Sequence, residues 1–401
     1  MGESDKNEIF MSPAPHIVSP VKTQTIMLDV IIALLPLAIY GVYLFSYPAL
    51  IRIVVAVFCC VGFESLFRKI CGLDLRYKDF SAAVTGLLLA LVVPPTLPVW
   101  MLILGCFFAV VVAKEFFGGL GANVFNPALA GRAFMFVSFS GSMTKWVQPG
   151  TSIFSAAVDG LSSATPLKLV TAKEGAALTA SEIAKILNLE SVSDLYTQLF
   201  LGNHAGCIGE TSILLILLGF GYLLIKRVLD WQTTVAMIAT TIAITVLAGI
   251  NPILTLSSGG LVFGAVFMAT DYTTTPVTTK GRILFGIGCG AITALIRLFS
   301  GMPEGVMYSI LIMNAVTPFL NKLIPQKYGF IKQKKKPPLI VQRRLQNETN
   351  YQTQCNACGI YRHCLYCSCR RIQLYRSANC SGKSRKNKCC IAGGFSRSGQ
   401  L

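Results

Sequence analysis

The chain has 401 residues, of which 53% are apolar and 13% charged, and its mean hydropathy is +0.61. That balance excludes an intrinsically disordered chain and points to a protein that crosses the membrane many times, so length is no guide to domain number. The formal charge of +17 is concentrated: residues 327–401 hold 16 Lys and Arg against the single acid Glu348, whereas residues 1–326 hold 19 against 17 acids. The basicity belongs to the tail, and no nucleic-acid partner is expected.

Residues 1–24 are polar and mixed in charge, with no apolar stretch ahead of a small-residue cleavage site. No cleavable signal is expected, and the segment reads as cytoplasmic. A helix needs about 20 mostly apolar residues to cross a bilayer. Ten runs are candidates: Thr25–Phe45, Leu50–Leu66, Phe80–Val93, Leu97–Ala113, Val124–Phe139, Thr211–Ile225, Thr233–Ile250, Ile253–Thr270, Ile283–Phe299 and Glu304–Leu323. Short cytoplasmic connections collect Lys and Arg. With the N-terminus inside, Arg68, Lys69, Arg76, Lys78, Lys114, Lys226, Arg227, Lys280 and Arg282 fall on the cytoplasmic side, and little beyond Arg52 falls opposite. Both termini then lie in the cytoplasm, the chain sits in the inner or cytoplasmic membrane, and residues 140–210 form a long extracytoplasmic loop.

The expected fold class is an all-α integral membrane protein of about ten transmembrane helices. An odd number of spans in each half makes residues 25–139 and 211–326 two inverted five-helix repeats on either side of the loop. Pro94-Pro95-Thr96-Leu97-Pro98 interrupts one half and Thr273-Thr274-Thr275-Pro276 the other; Asn126-Pro127 opens the fifth span, and Asn314 and Pro318 lie in the tenth. Matched interruptions can mark broken helices around a shared site. Proline at a loop is equally ordinary.

The outer loop carries Asp159-Gly160-Leu161-Ser162-Ser163-Ala164-Thr165-Pro166-Leu167. A threonine hydroxyl in such a stretch can be esterified by the phosphate of FMN. Ser162, Ser163 and Ala164 leave room for a transferring enzyme, and Pro166 restricts the backbone at the acceptor. A Ser/Thr-rich stretch of this kind is also an ordinary turn. Ionisable groups near membrane depth are functional candidates by default. Glu115 and Asp271 are kept as ion-path candidates on that ground; both fall at predicted cytoplasmic helix ends, where a solvated interfacial charge is the plainer account, and Asp29 is similar. Gly118, Gly119 and Gly121 suit close helix packing or close approach to a flavin. The six cysteines before residue 327 read as small apolar side chains.

Larger stretches carry a resemblance. Ser12-Pro13-Ala14-Pro15-His16-Ile17, then Ile26-Met27-Leu28-Asp29-Val30, resembles the opening of the D subunits of Rnf electron-transport complexes. Lys114-Glu115-Phe116-Phe117-Gly118-Gly119-Leu120-Gly121-Ala122-Asn123, running into Phe125-Asn126-Pro127-Ala128, is similar both to those subunits and to the B subunit of the sodium-pumping NADH:quinone oxidoreductase. Met268-Ala269-Thr270-Asp271, Gly281-Arg282, Pro303-Glu304-Gly305 and Met313-Asn314-Ala315 follow in the family's order. The resemblance implies covalent FMN on Thr165, attached by a separate flavin transferase, with Ser163 standing where the family usually has glycine. It implies a relay of electrons between ferredoxin and NAD through the partner A, B, C, E and G subunits, coupled to Na+ or H+ translocation. The chain would be a translocase component that is not catalytic alone. A second, noncovalent flavin such as riboflavin is left open, and the short N-terminal segment favours the Rnf protein over the quinone reductase.

The tail follows a different pattern. Lys332, Lys334, Lys335 and Lys336 suit contact with anionic lipid. Cys355-x2-Cys358 and Cys364-x2-Cys367-x-Cys369 have spacings compatible with zinc or an iron–sulphur cluster. Residues 327–401 nonetheless show no apolar periodicity, and a disordered basic tail without a metal is the expectation. The competing functions are a non-redox inverted-repeat transporter or channel, and a membrane protein with an appended metal-binding module.

Overall fold

The computed structural model describes residues 22–75, 77–147, 149, 180–186, 191–300 and 305–323. All belong to one compact unit, Met1–Gln326. Asp159, Ser162, Ser163, Ala164 and Thr165 lie outside the described residues, as does the tail from Lys327 to Leu401.

Helices account for all the regular structure among the described residues. The first, α1 (Thr23–Ile70), has 48 residues. At 1.5 Å per residue it is about 72 Å long, more than twice the ~30 Å apolar thickness of a bilayer. It is two membrane-length arms joined at Ser46, whose φ of 56° breaks the helical path. The arms correspond to the first two predicted spans. Then come α2 (Ser81–Leu91), α3 (Val99–Phe107), α4 (Pro127–Ser138) and α5 (Ser140–Met143). The predicted outer loop contains two helices, α6 (Ala180–Ile186) and α7 (Val192–Leu201). Ile183, Leu195 and Leu199 of that pair cluster with Leu254. The second half is built from α8 (Ile213–Ile225), α9 (Trp231–Leu247), α10 (Pro252–Ser257), α11 (Leu261–Phe263), α12 (Thr279–Phe299) and α13 (Val306–Leu323).

Among the described residues four helical stretches are long and apolar enough to cross a membrane: Thr23–Ile70, Val99–Phe117, Thr279–Phe299 and Val306–Leu323. Tyr43, Phe58, Ile225 and Leu247 are among the large apolar side chains left exposed. A bilayer supplies the apolar surroundings that water cannot.

The apolar run Ile253–Thr270 is not one helix. Ser258, Gly259 and Gly260 break it, with Gly259 at φ 72°, and α11 then widens into a π-helical turn at Gly264–Met268. A similar sequence of events occurs earlier. After the Pro94–Pro98 break, α3 widens into a π-helical turn at Phe108–Val112. Each break leaves backbone carbonyls that need donors, and each receives a buried arginine. Arg52 Nε donates to Leu97 O at 2.7 Å and its Nη1 to Pro48 O at 2.7 Å. Arg297 Nη1 donates to Thr255 O at 3.0 Å and its Nη2 to Ser258 O at 3.2 Å. Arg52, expected in an outer connection, is thus an interior helix residue satisfying the chain around it.

In the second half α9 and α12 touch backbone to backbone. A Cβ on Gly286 would lie 2.6 Å from Thr233 O, and one on Gly290 2.5 Å from Met237 O. Glycines four residues apart give α12 the flat stripe that such an approach requires.

Candidate functional site: a buried charge cluster beside a polar cavity

Glu64 and Arg68 stand one helical turn apart on the second arm of α1, so they share a face. Lys114 and Glu115 are consecutive and follow directly after the π-helical turn at Phe108–Val112, a kind of irregularity that recurs at functional sites. Each of the four finds its opposite from the other element. Lys114 Nζ meets Glu64 Oε1 at 2.9 Å and Ser81 Oγ, at the start of α2, at 2.8 Å. Arg68 Nη1 meets Glu115 Oε2 at 3.0 Å, and its Nε donates to Asp74 O at 2.7 Å. All four charged residues are buried. Glu115 is therefore not the solvated interfacial charge that its position in the sequence suggests, and Arg68 does not lie in a cytoplasmic connection.

Gly118, Gly119 and Gly121 do not serve helix packing. All three have positive φ, 110°, 86° and 97°, and they turn the chain over the Arg68–Glu115 pair. A Cβ on Gly119 would lie 3.1 Å from Glu115 Oε1 and 3.4 Å from Arg68 Nη1. The loop they form leads to Asn126, which caps α4: its Oδ1 accepts from Ala128 N at 3.1 Å and Leu129 N at 3.3 Å, with Pro127 as the first helical residue.

Here the two halves of the chain meet. Asn123 Nδ2 donates to Thr273 Oγ1 at 3.0 Å, and Asn126 Nδ2 to Met268 O at 3.4 Å. With its amide oxygen turned toward the α4 cap, Asn314 accepts from Asn126 N at 3.2 Å. Asp271 follows the second π-helical turn. Its carboxylate accepts from Thr273 Oγ1 at 3.1 Å, Thr274 Oγ1 at 3.3 Å and Thr273 N at 3.4 Å. No Lys or Arg among the described residues pairs with it within 4.0 Å. Asp29, the fourth acid of this region, accepts from Tyr222 Oη at 2.8 Å.

Lys114, Ser81, Asn123, Asn126 and Asp271 line one part-open cavity of about 90 Å³, whose other walls are apolar side chains that include Val84, Leu88 and Phe267. It has room for a few waters or a small hydrated cation. Among the described residues no three His, Cys, Asp or Glu side chains gather as a metal site.

Of the predicted site residues, Glu115 and Asp271 come to this one region, and Thr165 with its neighbours lies outside the described residues. Sequence reasoning missed Glu64. The available signal was a carboxylate within a predicted apolar span, four residues ahead of an arginine.

The cavity and its charges lie within a stretch, residues 10–329, that matches a single family, described as the NQR2, RnfD, RnfE family. The chain belongs to that family. With its apolar helices, membership in the NQR2, RnfD, RnfE family makes it a multi-pass membrane protein. It is 41% identical over 334 residues to the D subunit of the proton-translocating ferredoxin:NAD(+) oxidoreductase complex of Clostridium ljungdahlii, covering 81% of this chain and 97% of the relative. It is 40% identical over 328 residues to the D subunit of the Na(+)-translocating ferredoxin:NAD(+) oxidoreductase complex of Acetobacterium woodii, covering 82% and 97%. A family relative from Stutzerimonas stutzeri, the D subunit of an ion-translocating oxidoreductase complex, is 37% identical over 329 residues, covering 76% and 91%.

Proposed function

We propose that this chain is the membrane-embedded D subunit of an ion-translocating ferredoxin:NAD oxidoreductase complex, that it bears FMN as a phosphoester on Thr165, and that it lines part of the path of the translocated ion. The observation that carries the ion path is a charge count. Glu64 and Glu115 are matched by Lys114 and Arg68, and Asp29 binds Tyr222 away from the cavity wall, so Asp271 is the one carboxylate lining the cavity and has no cationic partner among the described residues. Such a wall attracts one small cation. Likeness to proteins named as ferredoxin:NAD oxidoreductase subunits, along 97% of their length, supports the complex and the need for its other subunits.

FMN supplies one- and two-electron transfer when bound. The flavin is assigned to the outer loop on the sequence alone, where Thr165 offers the hydroxyl and the small neighbours Ser162, Ser163 and Ala164 leave room for a transferring enzyme. The two arginine-capped helix breaks and the two π-helical turns support an inverted repeat, and the Lys and Arg of the connections support cytoplasmic termini in the cytoplasmic membrane. The test is flavin fluorescence of the denatured polypeptide in a gel after co-expression with its flavin transferase. The wild-type band is expected to fluoresce and Thr165→Ala to be dark; a fluorescent mutant band refutes the attachment site.

A further inference from the structure

The segment between α7 and α8 is no surface loop. Residues 205–212 are all buried. Its backbone docks on the end of α2, where Gly209 N donates to Leu91 O at 2.7 Å and Ile208 N to Val93 O at 3.3 Å. There is no room to spare. A Cβ on Gly209 would lie 2.6 Å from Leu91 Cβ, and one on Gly41 of α1 2.7 Å from Ile208 O.

This plug carries Glu210, 6% exposed. Its Oε1 accepts from Cys207 N at 3.1 Å, while Oε2 is buried with no hydrogen-bond partner among the described residues. Oε2 occupies space that exists because residue 260 is glycine: a Cβ there would lie 2.5 Å from it. Gly260 belongs to the break between α10 and α11, and Ser258 of the same break has a fully buried hydroxyl that also lacks a partner among the described residues.

Glu210 forms no ion pair within 4.0 Å with a described residue. Arg132 of α4 reaches the plug at a different atom, donating to Cys207 Sγ at 3.6 Å. A Cβ on Gly206 would be 3.7 Å from both Glu210 Oε1 and the His204 ring, so carboxylate and imidazole flank that glycine. Burial pulls His204 below its ordinary range, which leaves it neutral at neutral pH. An unpaired buried carboxylate is costly to keep ionised.

We propose that Glu210, with the Ser258 hydroxyl at the adjoining helix break, is a second binding site for the translocated cation. It lies at the opposite end of α2 from the Asp271 cavity. Ser81 at the start of α2 bonds Lys114, whereas Leu91 at its end holds the plug, and ten residues of helix separate the two by about 15 Å. The site rests on the ion path proposed above and gives that path an outer terminus.

The test uses the complete complex in sealed liposomes, with ions moved per electron measured by radioactive sodium and, separately, by a pH-sensitive dye. The wild type decides which cation is carried. A wild-type complex that passes electrons and moves neither ion removes the ion path itself. Where the wild type does pump, Glu210→Gln and Gly260→Ala are each expected to lose most of the ion movement per electron while electron transfer continues. Gly260→Ala leaves every charge in place and carries the test alone if Glu210→Gln fails to assemble. An unchanged ratio in the variants that assemble overturns the outer site while leaving the Asp271 path standing.

Discussion

Lys114 and Glu64, fifty residues apart in the chain, meet at 2.9 Å with side chains only 2% and 7% exposed. Each charge is tolerable only because of the other. Removing one partner of a buried pair typically costs ~3–5 kcal/mol, whereas replacing both by apolar groups of similar volume is often near neutral. Lys114→Met is therefore expected to destabilise strongly, and Glu64→Leu with Lys114→Met to recover most of the loss. Thermal unfolding of the purified complex checks it: a double variant no more stable than Lys114→Met would show that the pair does not hold α1 to the start of α2.

Glycines on two helices separate close packing from mere flexibility. Gly290 has no room for a methyl against Met237 O, and Gly290→Ala is expected to cost about 1–3 kcal/mol through forced separation of α9 and α12. Gly221 of α8 has nothing within 4 Å of its would-be Cβ, so Gly221→Ala is expected to be neutral or to gain up to ~1 kcal/mol in helix propensity. Equal melting temperatures for the two variants would contradict the packing.

Apolar runs made most of the helices legible, because hydropathy follows directly from residue type. The break at Pro94–Pro98 was legible too, since proline removes a backbone donor wherever it stands. Ser258-Gly259-Gly260 was not, because small residues interrupt a helix without interrupting its hydropathy. The two arms of α1 hid differently: Pro36 and Pro48 advertise a bend, yet the non-helical residue is Ser46. The charge quartet was the hardest part. Glu64 and Arg68 at a spacing of four look like a pair within one helix, and only the tertiary fold sends each across to Lys114 and Glu115.

His204 gives the plug a pH signature. Burial outweighs the nearby Glu210 carboxylate and lowers its pKa below the ~6.5 expected in the unfolded chain. The stability it allows is then fully present above that unfolded value and is lost as pH falls from there through the folded value, because the unfolded state takes up the proton first. The melting temperature of wild-type complex should fall more steeply than that of His204→Asn across this window. Parallel curves would mean that the imidazole is solvated.

Asp271 is the sharpest test of what the cavity does. Three contacts from Thr273 and Thr274 satisfy its carboxylate as a hydrogen-bond acceptor, but none compensates its charge. A residue serving only structure could be replaced by asparagine, which keeps an oxygen for the threonines. A residue serving to hold a cation could not. Asp271→Asn is thus expected to leave the unfolding midpoint of the complex near that of wild type and to raise the half-saturating concentration of the translocated ion in ferredoxin:NAD electron transfer by about tenfold or more, the effect of losing one direct ion–carboxylate attraction. Asp271→Glu, which keeps the charge but lengthens the arm, should fall between. Wild-type ion dependence in Asp271→Asn would remove the cavity from the path, and lost stability with unchanged ion dependence would make Asp271 a partner of its threonines alone.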